Sequence, residues 1–117
     1  LLVYSPLAFG VLSGKYVGGK LPSDSRVALF PNYNRYSSAE SEKAVIEYQK
    51  IADKHGLSLV ELSLAFVNQL PFVTSNIIGA SKMSQLKENI NSINIELSPE
   101  VIDEINEIHK IMPNPAP

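Results

Sequence analysis

Ser81, Gln85, Glu88 and Asn89 recur at helical spacing immediately after a Gly79-Ala80-Ser81 turn, so their polar side chains share one side of the helix that follows. The run before the turn, ending in Asn76-Ile77-Ile78, is apolar and β-prone, and after Ser81 the period becomes helical, with Met83, Leu86 and Ile90 on the opposite stripe. A strand, a tight turn and a helix in that order aim free N–H groups and the positive end of the helix dipole at the space above the strand end, where phosphate is the commonest occupant. Gly79 allows a close backbone approach, and Ser81 can cap the helix or donate its hydroxyl. A polar helix face alone does not separate a ligand from solvent, because any surface helix has one.

The other residues with chemistry to offer lie near the start. Leu1 to Tyr4 reads as a buried strand, and Ser5-Pro6-Leu7 forces the chain out of it, with Pro6 expected to hold Ser5 extended. Gly10, Gly14, Gly18 and Gly19, mixed with Ser13 and Pro22, mark a long irregular excursion to about Asn34, a candidate lid. Lys15, Lys20 and Arg26 are its strong anion partners; Arg can fork onto a phosphate, whereas Lys acts as a point charge. Tyr4, at a strand end, can stack its face on a planar ring while its hydroxyl stays wet. Phe30, Tyr33 and Tyr36 form an aromatic cluster that could wall a substrate pocket or pin the loop, with pinning the favoured role.

The segment LLVYSPLAFGVLSGKY followed, in the right order, by IIGASKMSQLKEN resembles the C-terminal part of an aldo-keto reductase, in the subgroup of bacterial oxidoreductases and voltage-gated potassium-channel β subunits. The likeness covers essentially the whole chain. It implies an α/β fold, a C-terminal fragment of a (β/α)8 TIM barrel, helix-rich with two short parallel strands. Residues 1–117 would be a single partial domain, with Leu1 near the seventh strand and Phe72 to Ile78 as the eighth. The absence of an initiator Met and of a leading turn or cap before Leu1 fits a piece of something longer.

The same resemblance implies an NADPH-dependent parent protein that reduces aldehydes or ketones by hydride transfer, its substrate a small carbonyl compound. Tyr4 would stack on the nicotinamide ring, and Ser5, Pro6 and Leu7 would run along the pyrophosphate, with Phe9 and Gly10 as further cofactor contacts. Lys15 would reach a cofactor phosphate, and Arg26 the adenosine ribose phosphate. Gly79, Ala80, Ser81, Gln85, Glu88 and Asn89 would form the adenosine end. Many relatives carry Lys-Ser and then Arg where this chain has Gly79-Ala80-Ser81 and Gln85, so Ser81, Lys82 or Arg26 would have to meet a 2′-phosphate. The catalytic Asp, Tyr, Lys and His of such enzymes come from earlier strands and have no matching positions here. No catalytic residue and no metal ligand is therefore expected, and Tyr4, Lys15 and His55 are not members of that set. The chain alone would bind cofactor very weakly or not at all. Two other readings stay open: a regulatory module of the channel β-subunit type, and an inactive half-barrel that self-associates through open strand edges into a homo-oligomer.

Composition agrees with a single core. The 117 residues are 44% hydrophobic and 19% charged, with a net charge of −2, which argues against a nucleic-acid footprint. Absence of cysteine rules out disulfides and thiolate chemistry and suits a reducing compartment, the cytoplasm. No run approaches the length of a membrane span. Helices are expected from about Ser38 to His55 with Gly56 as the stop, from Ser58 to Leu70 with Glu61 completing a capping box, and from Pro99 to Ile111 behind Ser98. His55 reads as a helix end and His109 as a half-buried packing residue, while the tail from Pro113 has nothing to pack against.

Overall fold

Each long helix with a serine before it is closed by that serine. In a computed structural model that describes all 117 residues, Ser38 Oγ accepts the Ser41 N–H at 3.0 Å at the start of α2 (Ala39–Lys54). At the start of α3 (Leu59–Asn68), Ser58 Oγ accepts the Glu61 N–H at 3.0 Å and the Glu61 carboxylate accepts the Ser58 N–H at 2.9 Å, a complete capping box. Ser98 Oγ accepts from Val101 N–H at 3.4 Å before α5 (Pro99–Ile111), with Pro99 in the first turn, where its missing N–H is harmless. Gly56, at φ +69°, turns the chain out of α2 while the Leu57 N–H returns to the Ala52 carbonyl at 2.9 Å.

These helices meet in one core. Val45, Ile51 and Ala52 of α2, Leu59, Leu62 and Ala65 of α3, and Val101 and Ile105 of α5 are buried together with Leu97 and Val11. None of α3 is exposed, because it packs against α2, the strand β2 (Ser75–Ile77) and α4 (Met83–Asn91). Strand β1 (Leu2–Tyr4) runs parallel to β2, in the register Leu2 to Ser75, Val3 to Asn76 and Tyr4 to Ile77. The chain is thus helix-rich with two short parallel strands. No helix is long and apolar enough to cross a membrane.

Several expectations give way here. The second strand spans Ser75–Ile77 rather than Phe72 to Ile78: Pro71-Phe72 make a turn closed by Val73 N–H to the Leu70 carbonyl at 3.0 Å, and the partner strand is only three residues long. The first strand is not buried. Alternation puts Leu2 and Tyr4 on one side of the sheet, 62% and 72% exposed, and Val3 on the half-buried other. Ser5 is not extended but left-handed at φ +57°, followed by Ala8 at +48° and Phe9 at +57°. A turn with Ala8 N–H on the Ser5 carbonyl at 2.9 Å overrides the preference set by Pro6, at a typical cost of about 1–3 kcal/mol per strained residue.

The excursion to Asn34 is ordered rather than irregular. It contains 3-10 turns at Ala8–Ser13 and Val17–Gly19 and the single-turn helix α1 (Arg26–Leu29), capped by Ser25. Gly18 N–H donates to the Glu42 carboxylate at 2.6 Å, which ties the loop to α2. Of the Met83/Leu86/Ile90 stripe, Met83 (66% exposed) and Ile90 (58%) face outward and Leu86 is half-buried, while Asn89 of the polar side is buried. His109 is exposed, one position beyond the half-buried Ile108. The tail does pack: the Pro115 carbonyl accepts hydroxyl hydrogen bonds from Ser38 at 2.8 Å and Ser41 at 3.0 Å.

Candidate functional site

Both strands end at the same edge, and the segments leaving them frame a groove of about 730 Å³. Tyr4 to Leu7, Phe9, Gly10, Lys15 and Arg26 supply one wall; Gly79 to Ser81, Gln85, Glu88 and Asn89 supply the other. Apart from Lys82, every residue that the resemblance assigns to the cofactor lines this one space, although the two stretches lie some seventy positions apart. Lys20 does not.

The first wall is held by aromatic contacts. Phe9, at its strained backbone position, meets Tyr33 at 5.4 Å and Tyr36 at 5.0 Å between ring centroids, both edge-on, and Phe30 meets Tyr33 at 6.0 Å. Phe9, absent from the cluster expected from sequence, is its hub. The Arg26 guanidinium lies 5.3 Å over the Phe9 ring and 5.9 Å from that of Tyr33, so the rings fix the cation without neutralising it. Lys15 Nζ sits 5.3 Å over the Tyr16 ring. Gly10 makes room for it: at φ +91°, a Cβ there would stand 3.0 Å from Lys15 Cε and Nζ. Neither Arg26 nor Lys15 forms an ion pair with a carboxylate. Two cations therefore face the groove outside any ion pair, with the Asp24 and Glu88 carboxylates lining the same space.

On the second wall, the polar residues of α4 are turned inward by bonds of their own, which explains why Met83 and Ile90 of its apolar stripe are outside. Gln85 Oε1 accepts the Ser81 N–H at 3.1 Å, the Ser81 hydroxyl at 3.2 Å and the Lys82 N–H at 3.2 Å. The helix start is thus capped by Gln85 reaching back, not by Ser81. Asn89 Nδ2 donates to the Gly79 carbonyl at 3.3 Å and Glu88 Oε1 accepts the Ser58 hydroxyl at 2.6 Å, which binds the turn to α4 and α4 to the start of α3.

A strap joins the two walls. Lys82 Nζ lies 2.8 Å from Asp24 Oδ2; this hydrogen bond and the accompanying charge attraction hold the Asp24 carboxyl below, and the Lys82 ammonium above, their ordinary values. Asp24 carries no local sequence signal, since a contact between exposed charges from distant segments has none. Lys82, considered from sequence as a phosphate partner, is thereby engaged with protein. The titratable side chains of the groove are Tyr4, Lys15, Asp24, Arg26 and Glu88. This set offers charge and a stacking shelf for an anionic, ring-containing ligand, and it contains no His.

Away from the groove, His55, Glu100 and Glu104 bring their ligand atoms within 4.8 Å of one another. The Lys54 ammonium already lies against both carboxylates, 3.1 Å from Glu100, and His55 Nε2 is 3.4 Å from Glu104. The cluster is an ion-paired junction between α2 and α5, and Lys54 holds Glu104 below the usual carboxylate range.

Residues 1–110 match the aldo/keto reductase family. The chain is 47% identical over 117 residues to Protein tas of Escherichia coli, aligning along all of its own length and 34% of that protein's. It is 40% identical over 119 residues to a probable voltage-gated potassium channel subunit beta of rice, covering 97% of this chain and 36% of the relative. An aldo-keto reductase of Babesia bovis is 37% identical over 114 residues, covering 93% of this chain and 40% of the relative. The chain therefore spans about a third of the length of the curated relatives it matches most fully. With two ordered signatures framing one groove and a match along almost its whole length, the chain belongs to the aldo/keto reductase family.

Proposed function

We propose that this chain is the cofactor-binding C-terminal portion of a (β/α)8 barrel that reduces aldehydes or ketones with NADPH, in the cytoplasm. The observation that carries the reading is the convergence of Tyr4, Lys15, Arg26, Ser81, Gln85 and Asn89 on one groove, with neither Arg26 nor Lys15 held in an ion pair. The donor set fits the cofactor: two unpaired cations suit phosphates, the exposed ring of Tyr4 suits a planar heterocycle, and a Cβ on Gly79 would meet nothing within 4 Å, so the turn beside it is open. NADPH, when bound, supplies the hydride. In this reading Tyr4 orients the nicotinamide ring, Lys15 and the Ser5-Pro6-Leu7 backbone hold the pyrophosphate, and Arg26 with Ser81 takes the 2′-phosphate. Gln85, Glu88 and Asn89 set the adenosine edge. The proton-transfer residues come from parts of the barrel outside this sequence.

The test is a titration of NADPH and NADH against the intact barrel protein carrying this chain and its Arg26→Ala variant. Loss of a charge-assisted hydrogen bond is expected to cost about 1–3 kcal/mol of NADPH binding, with a much smaller loss for NADH. Equal losses would assign Arg26 to the shared pyrophosphate or to the loop, and unchanged affinity would remove it from the site.

A role as a channel β subunit, as named for the rice relative, is a second reading, favoured by that 40% identity. It requires an apolar docking patch on the outer helices; α2 carries Glu40, Lys43, Glu47, Lys50 and Lys54 along its length, whereas α4 exposes the apolar Met83 and Ile90.

A further inference from the structure

Behind the groove runs a line of side-chain amides and hydroxyls that ends on Asn89 and Gly79 of the second wall but is built mostly from residues outside the set proposed to touch the cofactor, Asn68, Asn76 and Ser92. Asn76 Nδ2, on β2, donates to Asn68 Oδ1 on α3 at 3.2 Å. Asn68 Nδ2 donates to Ser92 Oγ at 3.1 Å, and the Ser92 hydroxyl donates to the Asn89 carbonyl at 2.6 Å. The Asn89 side chain closes the line on the Gly79 carbonyl at 3.3 Å. Ser92 is 2% exposed and Asn89 5%, and Asn76 Oδ1 is enclosed with no partner at all. Neither Asn68 nor Ser92 lines the groove.

Apolar residues of similar size would fill this space without unpaired polar atoms, and buried polar groups that are incompletely paired disfavour the fold. What a connected polar line supplies instead is geometry: each member accepts one arrangement of its neighbours. This line has its two ends at the two places that matter to the groove. At one end Asn76 is the register partner of Val3, one position before Tyr4. At the other, Asn89 and Gly79 form the second wall. From this placement we infer that Asn68 is a positioning residue, acting through Ser92 and Asn76 to fix the Gly79 turn and α4 relative to the strand that carries the Tyr4 shelf. The inference rests on the cofactor reading above and assigns a role in it to residues that touch no ligand.

The test uses the intact protein with Asn68→Leu, which removes both bonds at nearly constant volume, Ser92→Ala, which breaks the line one step nearer the groove, and Asn68→Asp, which retains the acceptor for Asn76. Ser63→Ala is the control: it loses a 2.7 Å hydroxyl bond to the Leu59 carbonyl on the same helix but outside the line. NADPH dissociation constants, thermal midpoints, and amide shifts and exchange rates of Gly79 and Asn89 are measured together. Asn68→Leu and Ser92→Ala are expected to weaken NADPH binding about tenfold, the equivalent of one buried hydrogen bond, and to move and speed exchange of both amides. Asn68→Asp should fall between, and Ser63→Ala should leave affinity unchanged. Unchanged affinity in Asn68→Leu and Ser92→Ala, or an equal loss in Ser63→Ala, would overturn the assignment. If wild type binds no NADPH, the cofactor reading fails on its own, and the amides of Gly79 and Asn89 then decide the line: unmoved amides overturn it, displaced ones sustain it.

Discussion

Replacing Ser58 by Ala should be far more damaging than its half-exposed position suggests, because its hydroxyl makes two connections at once. It accepts the Glu61 N–H, closing α3, and donates to the Glu88 carboxylate at 2.6 Å, holding α4. Loss of a serine N-cap costs about 1 kcal/mol. Leaving a half-buried carboxylate without its donor adds about 1–2 kcal/mol, toward the lower part of the range for charged groups because water reaches part of Glu88. The expected total is about 2–3 kcal/mol, a sizeable share of the roughly 5–15 kcal/mol that stabilises an ordinary domain. Urea unfolding followed by circular dichroism measures it, and a cycle with Glu88→Ala, which removes the acceptor, isolates the second part, with an expected coupling of about 1 kcal/mol. A loss under about 0.5 kcal/mol would refute the reasoning. Strict additivity in the cycle would refute the link between α3 and α4 while leaving the cap intact.

Two further outcomes follow from contacts at the rim. The Asp24 carboxyl, held down by Lys82, should titrate below the ordinary aspartate value, so the strap persists through neutral pH and is lost only as pH falls through that lowered pKa; at the alkaline end it is lost as pH rises through the raised pKa of Lys82. Carboxyl chemical shifts should show this, and Lys82→Gln should return Asp24 toward its ordinary titration; an unchanged midpoint would dissolve the strap. Leu1, Leu2, Tyr4, Phe72 and Ile77 are all exposed around a two-stranded sheet with unpaired outer edges, so the 117-residue chain should form dimers or larger species at micromolar concentration. Light scattering that returns a monomer mass throughout would contradict it.

Features with local causes were legible in the sequence. Ser38, Ser58 with Glu61, Ser98 with Pro99, and Gly56 mark helix ends within a residue or two, because a cap is made by neighbours in the chain. The groove-lining residues were legible through a resemblance in two separated stretches, which carries spatial information that periodicity lacks. What failed depends on tertiary context. The period of α4 identifies two faces but not which one packs, and the bonds of Gln85, Glu88 and Asn89 decide that the polar face goes in. Phe72 and Val73 look like strand, yet the ladder with β1 begins only at Ser75, and Phe72 meets nothing of that strand beyond the Leu1 amino group on its carbonyl at 2.8 Å. Ser5 obeys the turn rather than the proline after it. The docking of Pro115 on Ser38 and Ser41, and of Asp24 on Lys82, joins positions too far apart for any local pattern.

The central claim is that this stretch of chain holds the phosphate and adenosine grip of the cofactor. Its most direct test is an amide chemical-shift titration of the 117-residue chain with adenosine 2′,5′-bisphosphate, which carries that part of NADPH alone. The account predicts weak, saturable binding, with shifts confined to the groove around Gly10, Lys15, Arg26, Ser81, Gln85 and Asn89, and weaker binding of the 5′-monophosphate. Shifts spread over α2 and α5, or none in the groove at saturating ligand, would contradict it.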